Sequence, residues 1–252
     1  MAPHAMLPGS ALLLIGAWSV VSGSSGRTAG EPATGSVHGV VSLGGTVRYG
    51  GTAPPARPID MSADPYCAGA HQGAQPTTQR IVTDAQGNVR HAVVYVKQGL
   101  PAQRAQVPAT PATLDQRGCI YEPHVVALQA GQTLVIRNSD ATLHNVHVTA
   151  RANRGFNIGQ PIRGIEAKRT FDKPEVGIAV ACDIHGWMGG AIAVFDHPFF
   201  AVTGADGSFS LDGLPPGEYV VEVWHETLGT QSQNVTVAAG GQTATTFTFQ
   251  GN

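Results

Sequence analysis

Apolar and polar residues alternate along this chain in short runs, and turn residues cut the runs apart. Strand-like segments stand at Val37–Tyr49, His91–Lys97, His124–Ala130, Gln132–Arg137, His144–Thr149, Val176–Cys182 and Ala191–Phe195, with Gly, Pro, Asp and Asn between them. Most are four to eight residues long, the length of a strand rather than a helix. After Pro198 the texture changes. Asp206-Gly207 sits between alternating runs as a hairpin turn, and Leu214-Pro-Pro-Gly-Glu-Tyr219 is a second turn leading into a strand.

Composition agrees with this pattern. Glycine (32) and proline (17) are abundant, charged residues make up only 13 %, and no long amphipathic helix is visible, which predicts an all-β chain. A length of 252 residues allows one large domain or two small ones. The net charge is −2 with scattered lysines and arginines, so no cationic surface exists for nucleic acid or anionic lipid.

The apolar stretch Ala11–Val21 precedes a run of small residues. It is too short to cross a bilayer and has the length of a secretory signal core, predicting a signal peptide over residues 1–23. Only His4 stands where such a signal usually carries Lys or Arg. Residues 27–36 read as a flexible leader, and no later segment is apolar enough to span a membrane. The expected location is periplasmic or secreted, in a bacterial cell.

The stretch richest in chemistry is Cys182-Asp-Ile-His185-Gly-Trp-Met188, a C-x2-H-x2-M loop between two predicted strands. Thiolate, imidazole and thioether together select copper, and a His2Cys site with a weak axial Met is the blue-copper arrangement. Upstream, Asn138-Ser-Asp ends a strand and His144-Asn145 opens the next one, 38 residues before the cysteine. Taken singly, these residues would be a buried thiol, a surface histidine and a core methionine; their joint spacing favours a metal. Zinc is disfavoured, because structural zinc sites seldom use Met.

His144-Asn145 with the C-x2-H-x2-M loop resembles the cupredoxins, plastocyanin and especially amicyanin, over roughly residues 106–195. The resemblance implies a Greek-key β-sandwich holding one copper ion, with His144, Cys182 and His185 as strong ligands and Met188 as the axial one. It implies that Asn145 ties the ligand loops together and contacts the cysteine sulfur through its amide. It also implies that His185 sits at the surface edge as an electron portal, with Gly186, Trp187, Gly189 and Gly190 as a docking patch. Trp187 could instead cover the site edge. By strand alternation His147 points away from His144, outside the site.

Residues 196–252, with their D-G-x-F strand and L-P-P-G-x-Y turn, resemble the carboxypeptidase regulatory-like (transthyretin-like) family. This implies a second, smaller Ig/transthyretin-like β-sandwich. That segment is too short for a whole sandwich. The segment 36–105, with Gly45-Thr-Val-Arg-Tyr-Gly-Gly and Ala92-Val-Val-Tyr-Val96, is expected to complete it, the copper module being inserted between.

With Cys182 as a ligand, Cys67 and Cys119 remain as a pair. An oxidising compartment favours their disulfide, which would close a loop of about 50 residues and stabilise the fold by roughly 4 kcal/mol. The rival is a second metal site from Cys67-x3-His71 and Cys119-x4-His124; free thiols are the third reading. His197 and His225 read as structural.

Four protein ligands leave no open position for substrate, so the expected role is one-electron transfer rather than catalysis. The expected partner is a redox protein such as a c-type cytochrome or a dehydrogenase. Copper delivery, or a surface β-protein with structural copper, are the alternatives.

Overall fold

The strand Gly189-Gly-Ala-Ile-Ala-Val-Phe195 has no polar side chain, and Val93-Val-Tyr-Val96 is apolar at successive positions. Such strands must be covered on both faces, and that requirement organises the molecule. The structure is a computed structural model and describes residues 42–251 apart from 72, 74 and 103–105. The predicted signal, the leader and the start of the first predicted strand lie outside the described residues.

The first half of the chain contains β1 (Ser42–Gly50), the short helix α1 (Pro65–Ala70), β2 (Val93–Gln98), β3 (Ala112–Arg117), β4 (Ile120–Glu122), β5 (Val125–Gln129), β6 (Leu134–Asn138) and β7 (His144–Thr149). Then follow β8 (Phe156–Gln160), β9 (Glu166–Arg169), β10 (Glu175–Ala181), β11 (Gly189–Phe195), β12 (Phe200–Val202), β13 (Ser208–Asp212), β14 (Gly217–His225), β15 (Gly229–Val237) and β16 (Gln242–Gln250). Apart from α1, the regular structure of the described residues is all β. Among the described residues no helix is long and apolar enough to cross a membrane.

The strands form four sheets in two sandwiches. In the first, β5-β11-β10-β7-β8 faces β4-β3-β6-β9 across a core containing Leu114, Ile136, Val146, Ile178 and Ile192. In the second, β12-β2-β14-β15 faces β13-β1-β16 across Leu43, Val47, Val94, Val221 and Phe247. β1 lies between β13 and β16 and runs parallel to β16 over nine residues, Ser42 opposite Gln242 through Gly50 opposite Gln250.

The doubly apolar strands explain how the sandwiches join. On β11, Ile192 and Val194 point into the first core, while Ala191, Ala193 and Phe195 point the other way. On β2, Val94 and Val96 enter the second core, while Val93 points outward with Tyr95 beside it. The outward residues meet Val125, Phe200 and Trp224 in a third apolar cluster, a seam between the sandwiches. Gly177, in a bulge of β10, has φ +77°, and a Cβ there would lie 3.0 Å from the Trp224 indole. Glycine suits that position on both counts.

Candidate metal centre

His144 opens β7 because the preceding turn is built to place it. The Asn138 side chain donates to the carbonyls of Thr142 (2.9 Å) and Gln160 (2.8 Å) and accepts from the Asp140 N–H (2.9 Å). Cys182, His185 and Met188 lie in the turn between β10 and β11. The Met188 N–H donates to the His185 carbonyl (2.8 Å) and the Cys182 N–H to the Met188 carbonyl (3.2 Å), which closes the loop. All four residues are buried.

The ligand atoms of His144, Cys182 and His185 lie within 4.8 Å of one another. His185 Nδ1 is 2.9 Å from His144 Nδ1 and 3.9 Å from Cys182 Sγ. Asn145 ties the loops: its side-chain oxygen lies 3.2 Å from Cys182 Sγ and accepts the Asp183 N–H at 2.7 Å. It is thus the amide oxygen that touches the sulfur. His147 lies outside the site, half exposed, with Nδ1 2.9 Å from Asp183.

Both imidazoles are held from behind by carboxylates. His144 Nε2 is 2.9 Å from Asp140 Oδ2, and His185 Nε2 is 3.0 Å from Asp64 Oδ2. Asp140 also accepts the N–H groups of Gly118 and Cys119, both at 2.8 Å. Asp64 caps α1, accepting from the N–H groups of Tyr66 (2.8 Å) and Cys67 (3.1 Å), and takes the Thr142 hydroxyl at 3.1 Å. Burial pulls both carboxyls up, but these hydrogen bonds outweigh it and hold them below the usual carboxylate range.

Ionised carboxylates accept, so this network assigns the ring N–H to Nε2 in each histidine and leaves Nδ1 as the lone pair. Two lone pairs then converge at 2.9 Å beside a thiol. That arrangement requires a cation, either a proton or a metal. In the metal-free protein the proton takes the place: burial lowers the His144 pKa, but Asp140 and Cys182 raise it to about 9. Burial likewise raises the Cys182 thiol, and hydrogen bonds from His144 and from the N–H groups of Asn145, His185 and Ile184 bring it below its ordinary value. Converging imidazole nitrogens, an activated thiol and a buried Met188 are a donor set that fits copper.

Cys67 and Cys119 form a disulfide, so they are neither a second metal site nor free thiols. His71 instead contacts the Gly118 carbonyl, and His124 Nε2 lies 2.6 Å from Glu226. The bridge lies against the site, with Cys67 Sγ 3.8 Å from His185 Nε2.

This placement corrects the expected surface portal. His185 is only 3 % exposed, because α1 and the bridge cover its edge. Gly190 is buried as well, its α-carbon facing the His124 carbonyl, whereas Gly186 and Gly189 are exposed. Trp187 belongs to the cover rather than to an open patch: its ring lies against His185 with centroids 5.0 Å apart, and its Nε1–H donates to the Cys119 carbonyl at 3.0 Å. Asp140 and Asp64 carry no assignment from the sequence. Asp140 could have been singled out as the acid four residues before a ligand histidine. Asp64 is 121 residues from its partner and has no local signal.

The family model of the carboxypeptidase regulatory-like domain matches residues 189–250. The match begins in β11, which pairs in the first sandwich. No protein of curated function matches the chain. The solved structures to which the chain is similar include a nitrite reductase, a cupredoxin and an amicyanin. With a copper-containing nitrite reductase from Thermus scotoductus it shares 26 % identity over 37 % of this chain and 25 % of that one, at a TM-score of 0.32. A purple cupredoxin from Nitrosopumilus maritimus shares 20 % identity over 33 % of this chain and 98 % of its own, at 0.29. An oxidised point mutant of amicyanin shares 22 % over 40 % and 97 %, at 0.31. The match thus spans about a quarter of the nitrite reductase.

Proposed function

We propose that this protein binds one copper ion through His144, Cys182 and His185, with Met188 as a weak fourth ligand, and serves as a one-electron carrier in an exported compartment. The observation that supports this most is the convergence of the two Nδ1 atoms, 2.9 Å apart, beside a buried thiol. When bound, copper would supply a one-electron redox couple. The chain holds both imidazoles in one tautomer, keeps the thiol deprotonation-prone and excludes water from the ligands.

Such a role needs a partner that docks weakly and briefly, for which a c-type cytochrome or a dehydrogenase is suitable. With the His185 edge covered, the docking surface is better sought at Leu143 and Ile184, which are 44 % and 47 % exposed and each directly precede a ligand histidine. Full burial of the ligands favours retention of the ion over its delivery. The test is to load the folded protein with Cu(II) and record its spectrum. An intense thiolate-to-copper band in wild type, absent in Cys182→Ser, is the expected result. Its absence from folded, loaded wild type would overturn the reading.

A further inference from the structure

The covering segment does more than shield the site. We infer that Asp64 is a positioning residue for the metal centre: its carboxylate, delivered by the disulfide-stapled α1, fixes the His185 ring so that Nδ1 faces the ion. This rests on the copper reading above.

Four observations carry the inference. Asp64 Oδ2 is 3.0 Å from His185 Nε2, the nitrogen facing away from Cys182. The carboxylate is itself oriented by three other donors, the Tyr66 and Cys67 N–H groups and the Thr142 hydroxyl. The arrangement is duplicated at the other histidine, where Asp140 holds His144 Nε2. Finally, the two halves of the disulfide hold the two carboxylates: the Cys67 N–H donates to Asp64 and the Cys119 N–H to Asp140. One covalent bridge thus ties together both supports of the histidine pair. A ligand imidazole held through its second nitrogen is fixed in tautomer and orientation and is a better donor, and losing such a support typically costs about 10–100-fold in metal affinity.

Asp64 also caps α1, so the test must separate the two roles. Serine is as good a cap as aspartate but is too short to reach the imidazole. The full-length Asp64→Ser variant, its disulfide checked by mass, is compared with wild type in two measurements. In the copper-free proteins, at a pH alkaline enough that His144 Nδ1 carries no proton to hold the neighbouring ring from the other side, long-range 1H–15N spectra of the histidines should show His185 protonated at Nε2 in wild type, with that preference lost in the variant. In the copper-loaded proteins, competition with a chelator should show affinity about 10–100-fold weaker in the variant, with the thiolate band retained. An unchanged His185 tautomer, or an unchanged affinity, overturns the inference. If wild type shows no thiolate band, the copper reading fails by itself, and the copper-free spectra still decide whether Asp64 orients His185. Should Asp64→Ser not fold, Asp64→Asn keeps a capping oxygen while removing the charge, and the same outcomes apply.

Discussion

Buried histidines lie in two regions of this molecule, and His144 in one behaves oppositely to His91 and His225 in the other. At the metal centre His144 is pulled up to about 9. At the junction of the two sandwiches His91 is pushed down to about 3 and His225 to about 4, first by burial, with His124 adding to the effect at both. All three are under 10 % exposed, so burial does not distinguish them. The difference is the acceptor. His144 has Asp140 on Nε2, whereas His225 accepts from Thr227 and Leu228 through Nδ1 and has no partner at Nε2 among the described residues. His91 stacks at 5.1 Å on His124. A carboxylate bonded to the ring makes His144 ready for a cation, whereas His91 and His225, with no carboxylate bonded to them, are kept neutral by burial.

Removing the acceptor should break this contrast most severely. Asp140→Ala leaves His144 and two backbone N–H groups without their buried partner, and is expected to destabilise the copper-free protein by about 3–5 kcal/mol in chemical denaturation. An effect below about 1 kcal/mol would mean that the carboxylate is not what holds the site.

Acidity sharpens the contrast, because the two groups contribute slopes of opposite sign. A histidine whose folded pKa lies near 3 or 4 binds its proton more readily when unfolded. Stability is therefore lost as pH falls from about 6.5 toward 4, at up to about 1.4 kcal/mol per pH unit for each ring. His144, raised to about 9, contributes stability below 6.5 that disappears as pH rises through 9. The metal-free protein should be most stable between these limbs. His91→Asn, which tolerates the positive φ of that position, should flatten the acid limb and leave the alkaline one. Thermal melts across pH check both.

The smallest effect belongs to the seam. Gly177→Ala places a methyl against Trp224 at positive φ and should cost about 1–2 kcal/mol. It should leave the thiolate band unchanged, because the bulge lies toward the end of β10 opposite the ligand loop.

What is legible in the sequence follows the range of the interactions. His144–Thr149 reads as a strand because its alternation is local, and it forms with those bounds. The loop from Cys182 to Met188 is readable for the same reason, with its residues three apart. β9 is Glu-Ala-Lys-Arg, an edge strand with Glu166 and Lys168 toward water, and carries no apolar signal. β3 hides Gln116 in the interior, where it bonds to Gln160 and the Arg137 carbonyl, so its pattern looks like a loop. The covered state of His185 is the larger departure. It depends on a helix of six residues brought over the site by a bridge of 52 residues' separation, and no spacing rule connects such distant positions.

The parallel pairing of β1 with β16 has one further consequence. Among the described residues, the strands that flank β1 in its sheet, β13 and β16, both follow the strands of the first sandwich in the chain. The strands of the first sandwich are therefore moored at two points to one wall, as a loop closed by its own ends is. A tether at one end would leave the first sandwich free to swing, whereas two moorings, with the seam between, remove that freedom in advance. Cutting the chain after Phe195 would release both moorings at once, since β1 would lose its neighbours together with the excised tail.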